Sequence, residues 1–128
     1  MKSRHSDLGL LILRVGFSAL MLTHGYGKFM MLIQGNGDQF GQVLGLPAIV
    51  ACILAVIGEF IAPILIILGV KTRLSTIPVI IVMAVAAFVV HAADPIATKE
   101  KALLYLIAFV VIGLSGPGKY SIDGRKGY

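Results

Sequence analysis

The stretch PAIVACILAVIGEFIAPILIILGV, residues 47–70, decides how this chain is read. It holds a single charged residue, Glu59, in a run long enough to cross a hydrocarbon layer as a helix, which takes roughly 20 apolar residues. Pro47 suits the opening of a helix, where its missing N–H costs nothing. The run has no period-2 alternation and is far too long for a barrel strand. A helix therefore satisfies its backbone groups internally, as a membrane requires.

Working outward, the same pattern recurs. Residues 8–33 form a first apolar run, ended by Gln34-Gly35-Asn36-Gly37-Asp38, a cluster of helix breakers. After residue 70, Lys71-Thr72-Arg73 makes a short basic connection, which forces the next helix back antiparallel. A third run covers residues 75–92, with Pro78 in its opening turn, and Asp94-Pro95 breaks it. A fourth covers residues 99–114, where Gly116-Pro117-Gly118 stops it. The polar tail, 119–128, reads as short and exposed. The expected fold is all-α: one domain over residues 1–128, a bundle of four transmembrane helices with antiparallel neighbours.

Composition agrees. Hydrophobic residues make up 58% of the 128 and charged ones only 13%, about half the share in soluble domains. A domain this small could not hide so much apolar surface from water. The net charge of +5 comes from scattered basic residues, which argues against nucleic acid and for topology determinants beside the spans. Four spans put Lys2, Arg4, Lys71, Arg73, Lys119, Arg125 and Lys126 on one side and Lys99, Lys101 and Lys28 on the other. Both termini are then expected in the cytoplasm. Lys2 and Arg4 before an apolar run resemble a secretory signal, but the run is too long and Arg14 interrupts it, so it reads as a retained span. Cys52 is the lone cysteine, which excludes an intrachain disulfide and any paired-cysteine redox motif.

The candidate site lies in the charges within the spans. At 100° per residue, His24 stands roughly 80° and Lys28 roughly 40° from Arg14, so the three share a face with Ser18, Met21 and Gly25. Lys28 either snorkels to the interface or joins a site. Glu59, mid-span, has no exit, so it faces the interior and is protonated or paired with a cation. Arg14 is favoured as partner by its permanent charge, His24 by the lean of helical side chains. Such a pair either fixes helix register or forms a ligand-binding or proton-relay pocket. His91 stands at its outward mouth. Gly58, Pro63 and Gly69 allow close packing and a bend beside Glu59, and Tyr105 either bonds into the interior or packs. No HxxxH or ExxH pair appears, which argues against a metal.

Leu13-Arg14-Val15-Gly16, Thr23-His24-Gly25 and Gly27-Lys28-Phe29 resemble the first helix of the DoxX family of membrane proteins. Gly58-Glu59-Phe60 and Leu68-Gly69-Val70-Lys71-Thr72-Arg73 are similar to its second helix and following turn. Lys99 through Tyr105 and Gly116 through Asp123 resemble its fourth helix and closing tail. The resemblance implies a four-helix protein of the bacterial inner membrane, in a family linked by name to quinol oxidase and thiosulfate:quinone oxidoreductase subunits. Arg14, His24, Lys28, Glu59, Thr72, Arg73 and Glu100 match its recurring polar positions, the last of these together with Thr72 and Arg73 as structural polar residues. The wider superfamily is thought to include thiol-redox proteins, and the absence of paired cysteines here departs from that pattern.

The expectation is a redox-associated subunit that binds a quinone or similar apolar ligand near Arg14, His24 and Glu59. Electrons would come from a redox partner protein, because no electron-carrying cofactor motif is present. The alternatives are a small proton-coupled transporter, as a homo-oligomer because four helices enclose little space, and a scaffold subunit without a ligand.

Overall fold

The computed structural model describes residues 4–125, so Lys2 and Lys126 lie outside the described residues. Four helices carry the fold: α1 (Arg4–Ile33), α2 (Ala48–Leu68), α3 (Thr72–Val90) and α4 (Ile96–Ser115), followed by a single turn, α5 (Ile122–Arg125). Among the described residues there is no strand, only an isolated bridge between Val43 and Leu46 in the α1–α2 connection. The first three helices are long and apolar enough to cross a membrane. The fourth runs 20 residues, but Lys99, Glu100 and Lys101 charge its opening turns.

Each border has a local cause. Pro47 stands directly before α2 in extended backbone. Gly69, at φ +74°, closes α2 with paired bonds from Gly69 N to Ile66 O and from Val70 N to Leu65 O, the double closure that a left-handed glycine permits. Helix α3 begins three residues before the sequence suggested, so Pro78 sits inside it rather than in its opening turn. The reason lies far along the chain: the Asp123 carboxylate accepts from Lys71 N at 2.9 Å and Thr72 N at 2.8 Å. That is an N-terminal cap supplied from the tail.

The helices pack in the order α1–α2–α3–α4 and back to α1, each antiparallel to its neighbours. Their surface is the reverse of a soluble protein's. Ile12, Leu20, Ile107 and Leu114 are more than half exposed, whereas Arg14, Ser18, Glu59, Thr72 and Thr76 are at most 3% exposed. Aliphatic surface on this scale calls for lipid around it. The interior core joins Met21 of α1, Ala62 and Ile66 of α2, Val79 and Met83 of α3, and Tyr105, Phe109 and Ile112 of α4.

Between lipid-facing helices the hydrophobic effect offers little, so close packing through small residues must hold them. A Cβ on Gly25 would run into the backbone carbonyl of Glu59. On the neighbouring face of α2, a Cβ on Gly58 would strike Val82 and the Pro78 carbonyl of α3. Helix α2 is thus gripped on both sides at one level. A π-turn spans Ile57–Ile61 there, with Ala62 N bonding back to Ile57 O. Pro63 follows, offers no N–H to the Glu59 carbonyl four residues earlier and would clash with it in a regular helix, which the wider turn relieves.

The tail does not extend into solvent as the sequence suggested. Lys119 N donates to Asp7 Oδ1 at 3.2 Å, Asp123 N to Gly69 O at 2.8 Å, and Ser121 is buried. Arg14 makes the central tie. Its Nη1 donates to Ile66 O and Ile67 O, each at 2.7 Å, and its Nη2 to Tyr120 O at 2.5 Å.

Two outcomes test this account. Gly25→Ala should cost about 1–3 kcal/mol by overpacking, while Gly16→Ala, where a Cβ meets nothing within 4 Å, should stay within about 0.5 kcal/mol. Unfolding in mixed micelles followed by circular dichroism measures both. Arg14→Leu should lower stability by about 3 kcal/mol or more, since one buried and two part-buried carbonyls lose a charged donor. Limited proteolysis should then cut the tail near Lys119 faster than in the wild type.

Candidate functional site

The buried face of α1 is Asp7, Arg14, Ser18, Met21 and Gly25, a stripe spaced by threes, fours and one double step that keeps to one side of a helix. Two separate polar centres lie along it. At 1.5 Å per residue, the 11 positions from Arg14 to Gly25 are roughly 16 Å. Gly25 is level with Glu59, and Arg14 is level with Ile66. Arg14 and Glu59 are therefore not a pair.

At the first centre, the guanidinium, 1% exposed, is met by the carbonyl end of α2. Those last carbonyls carry the negative end of the helix dipole, and Ile66 O keeps its bond from Gly69 N while it accepts from Arg14. A planar fork of N–H groups serves several of them at once. The counter-charge that Arg14 needs is thus mostly backbone, with Asp123 nearby. Its Nε and the Ser18 hydroxyl one turn on are buried without a partner among the described residues.

At the second centre, Lys28 Nζ lies 2.5 Å from Glu59 Oε2. The carboxylate side chain is 4% exposed and the lysine 33%, so a buried acid is joined to a cation that still reaches the surface. Lys28 takes the position that the sequence reading gave to Arg14 or His24. Its stem rises from the helix position one turn past Gly25, and the close approach of α1 to α2 at that glycine brings the carboxylate within reach. Lys28 Nζ also stands 5.8 Å from the centre of the Phe40 ring, and Phe29 stacks on Phe60 at 4.3 Å. The Cys52 thiol, buried, points to the Lys28 carbonyl at 3.8 Å.

His24, half-buried, stands edge-on to Tyr105 of α4 at 5.6 Å, within electrostatic reach of Glu59, Lys28 and Lys101. Tyr105 is buried and also meets Phe17 edge-on at 6.0 Å. The structure therefore gathers His24, Lys28 and Glu59, and adds Tyr105, Phe40 and Phe60. His91 pairs instead with Asp94, Nδ1 to Oδ2 at 2.8 Å, on the turn after α3. Thr72 is buried at the start of α3, Arg73 lies over Gly116, and Glu100 is exposed. Phe40 could have been suspected only by knowing which loop folds over Lys28, and no short-range spacing carries that, whereas Phe60 stands next to Glu59 in the sequence.

A double-mutant cycle separates the two partners' roles. Lys28→Met strands a buried carboxylate and should cost about 3 kcal/mol. Glu59→Gln frees a lysine that can turn to water and should cost about 1 kcal/mol. The double variant should recover most of the larger loss, measured by the same micelle unfolding; additive losses would mean the pair does not interact.

Comparison with known proteins fits this arrangement. The family model described as DoxX matches residues 9–92, which include Arg14, His24, Lys28 and Glu59. An uncharacterized protein of Haemophilus influenzae is 32% identical over 127 residues, covering 91% of this chain and 89% of that protein. No solved structure matches the chain. With an aliphatic exterior, charges held inside and a family match over most of its length, this integral membrane protein belongs to the DoxX family.

Proposed function

We propose that this chain is a redox-associated subunit of the bacterial inner membrane that offers the Lys28–Glu59 pair, with His24 and Tyr105, to a quinone-like ligand. The observation that carries this reading is a carboxylate buried to 4% exposure and bonded to a lysine that remains one-third exposed. A group so placed can receive a proton from the surface side and hold it in an apolar interior. The Phe40 ring stands 5.8 Å from Lys28 Nζ, and Phe29 and Phe60, next in sequence to the pair, stack on each other; aromatic surface of this kind suits a planar ring.

In this reading the Lys28 ammonium and the His24 ring N–H orient a carbonyl oxygen, and Glu59 exchanges the proton through Lys28. Reduction of a quinone to its quinol takes two electrons and two protons. The electrons come from a redox partner protein, since this chain carries no centre for them. Arg14 has no part in this chemistry, because it stands level with Ile66, roughly 16 Å along α1 from the level of Glu59.

The same proposal includes four spans with α4 as the fourth, and both termini in the cytoplasm. The charged opening turn of α4 then lies at the outer interface, where Lys99 and Lys101 reach water. Arg4, Lys71, Arg73, Lys119 and Arg125 collect at the opposite end, as the positive-inside bias favours.

Binding of decylubiquinone and menadione to the purified full chain, by equilibrium dialysis, tests the site. The wild type should bind one of them, and Glu59→Gln and Lys28→Gln should each weaken binding about tenfold. Unchanged affinity in both variants, or no binding by the wild type, overturns the reading. Proton-coupled flux in proteoliposomes without quinone binding would assign the pair to a transporter, and neither property would assign it to a scaffold.

A further inference from the structure

At the end of the molecule opposite Lys28 and Glu59, a side-opening cleft of about 1340 Å³ lies between the first turns of α1, the start of α3 and the end of α4. That exceeds the roughly 300–1,000 Å³ of small-molecule pockets. Its lining is of two kinds. Leu10, Leu13, Leu74 and Leu114 are apolar, and Lys71 and Arg73 outnumber the one acid there, Asp123. Leu74 and Leu114 are 62% and 77% exposed, so the apolar lining runs on into the aliphatic exterior. We infer that this cleft binds an anionic phospholipid, with its phosphodiester on Lys71 and Arg73 and an acyl chain along the leucines.

Several observations carry the assignment. Neither cation has a carboxylate within 4 Å among the described residues. The Asp123 oxygens accept from Lys71 N and Thr72 N, which ties this carboxylate to the start of α3. Arg73 is seated: its Nε and Nη2 lie 3.0 Å from where a Cβ of Gly116 would be, and Gly116 at φ +85° carries none. Lys71 is held at φ +46°, ψ +49°, a left-handed conformation that glycine adopts without the steric cost of a side chain. A lysine there maintains a charge at the expense of the backbone. Thr72, 1% exposed, lines the same cleft, and its hydroxyl has no partner among the described residues. A soluble anion would use the cations and leave the leucines unused, and a zwitterionic lipid would bring its own ammonium beside Lys71 and Arg73. An anionic amphiphile fits both kinds of lining, and basic pockets between helices at a membrane face select such headgroups.

The experiment titrates the purified full chain in a neutral detergent with dioleoyl phosphatidylglycerol, with dioleoyl phosphatidylcholine and with inorganic phosphate. Bound lipid is read by native mass spectrometry alongside the midpoint of thermal unfolding. Phosphatidylglycerol should bind and raise the midpoint, and phosphatidylcholine should do so at least tenfold less well. Lys71→Gly and Arg73→Gln should each weaken binding about fivefold, and together about thirtyfold. Lys71→Gly should leave the lipid-free midpoint unchanged or higher, because glycine relieves the backbone, which separates loss of lipid from loss of fold. Lys99→Gln with Lys101→Gln, at the far end, should change nothing. Equal binding of both lipids, wild-type binding by the double variant, or displacement of the lipid by inorganic phosphate would each overturn the proposal.

Discussion

A permanently charged guanidinium enclosed by main-chain carbonyls holds this molecule together. Arg14 cannot shed its charge at any physiological pH, and at 1% exposure it has no water to turn to. Its position is therefore dictated by where acceptors can be supplied. Helix α2 supplies them at its last turn, the negative end of its dipole, and the tail supplies one more at Tyr120. Three segments distant in sequence are fixed at one point, and that point sets the register of α1 against α2.

The rest follows from that register. With Arg14 level with Ile66, Gly25 falls opposite the Glu59 carbonyl and Lys28 falls within reach of its carboxylate. Backbone and side chain of the same residue serve different purposes. The carbonyl of Glu59, which Pro63 cannot serve as a donor, lies against Gly25 where a Cβ would not fit, a close approach of the kind that recurs at helix crossings. The carboxylate turns to the lysine. A glycine on each flank of α2 lets it sit close to both neighbours, so the ion pair rests on tight backbone packing rather than on a flexible loop.

The sequence made the helices and their inward charges legible, because hydropathy and helical period are local quantities. The run at residues 47–70 became Ala48–Leu68, and the one at 8–33 became Arg4–Ile33. The partner of Glu59 was not legible. Choosing between Arg14, His24 and Lys28 requires the axial offset of two helices, and that offset is fixed by the Gly69 closure and by Tyr120. The start of α3 failed for the same reason: Asp123, some fifty residues later in the chain, caps it. The tail itself, polar and short, carried no periodic signal that it would fold back. Three helices meet the length and hydropathy of a span outright, whereas Lys99, Glu100 and Lys101 keep the fourth from doing so by composition alone.

The bond from Arg14 to Tyr120 joins positions 106 residues apart, which gives the fold a direction in time. During synthesis α1 enters the membrane first, carrying a charge whose main acceptors do not yet exist. Completion of α2 brings two of them, and the third arrives only once Tyr120 has been made. The first helix thus stays incompletely seated until the segment after α4 docks. Any quality-control step that senses an unsatisfied intramembrane charge would therefore read, at Arg14, whether all four helices have been delivered.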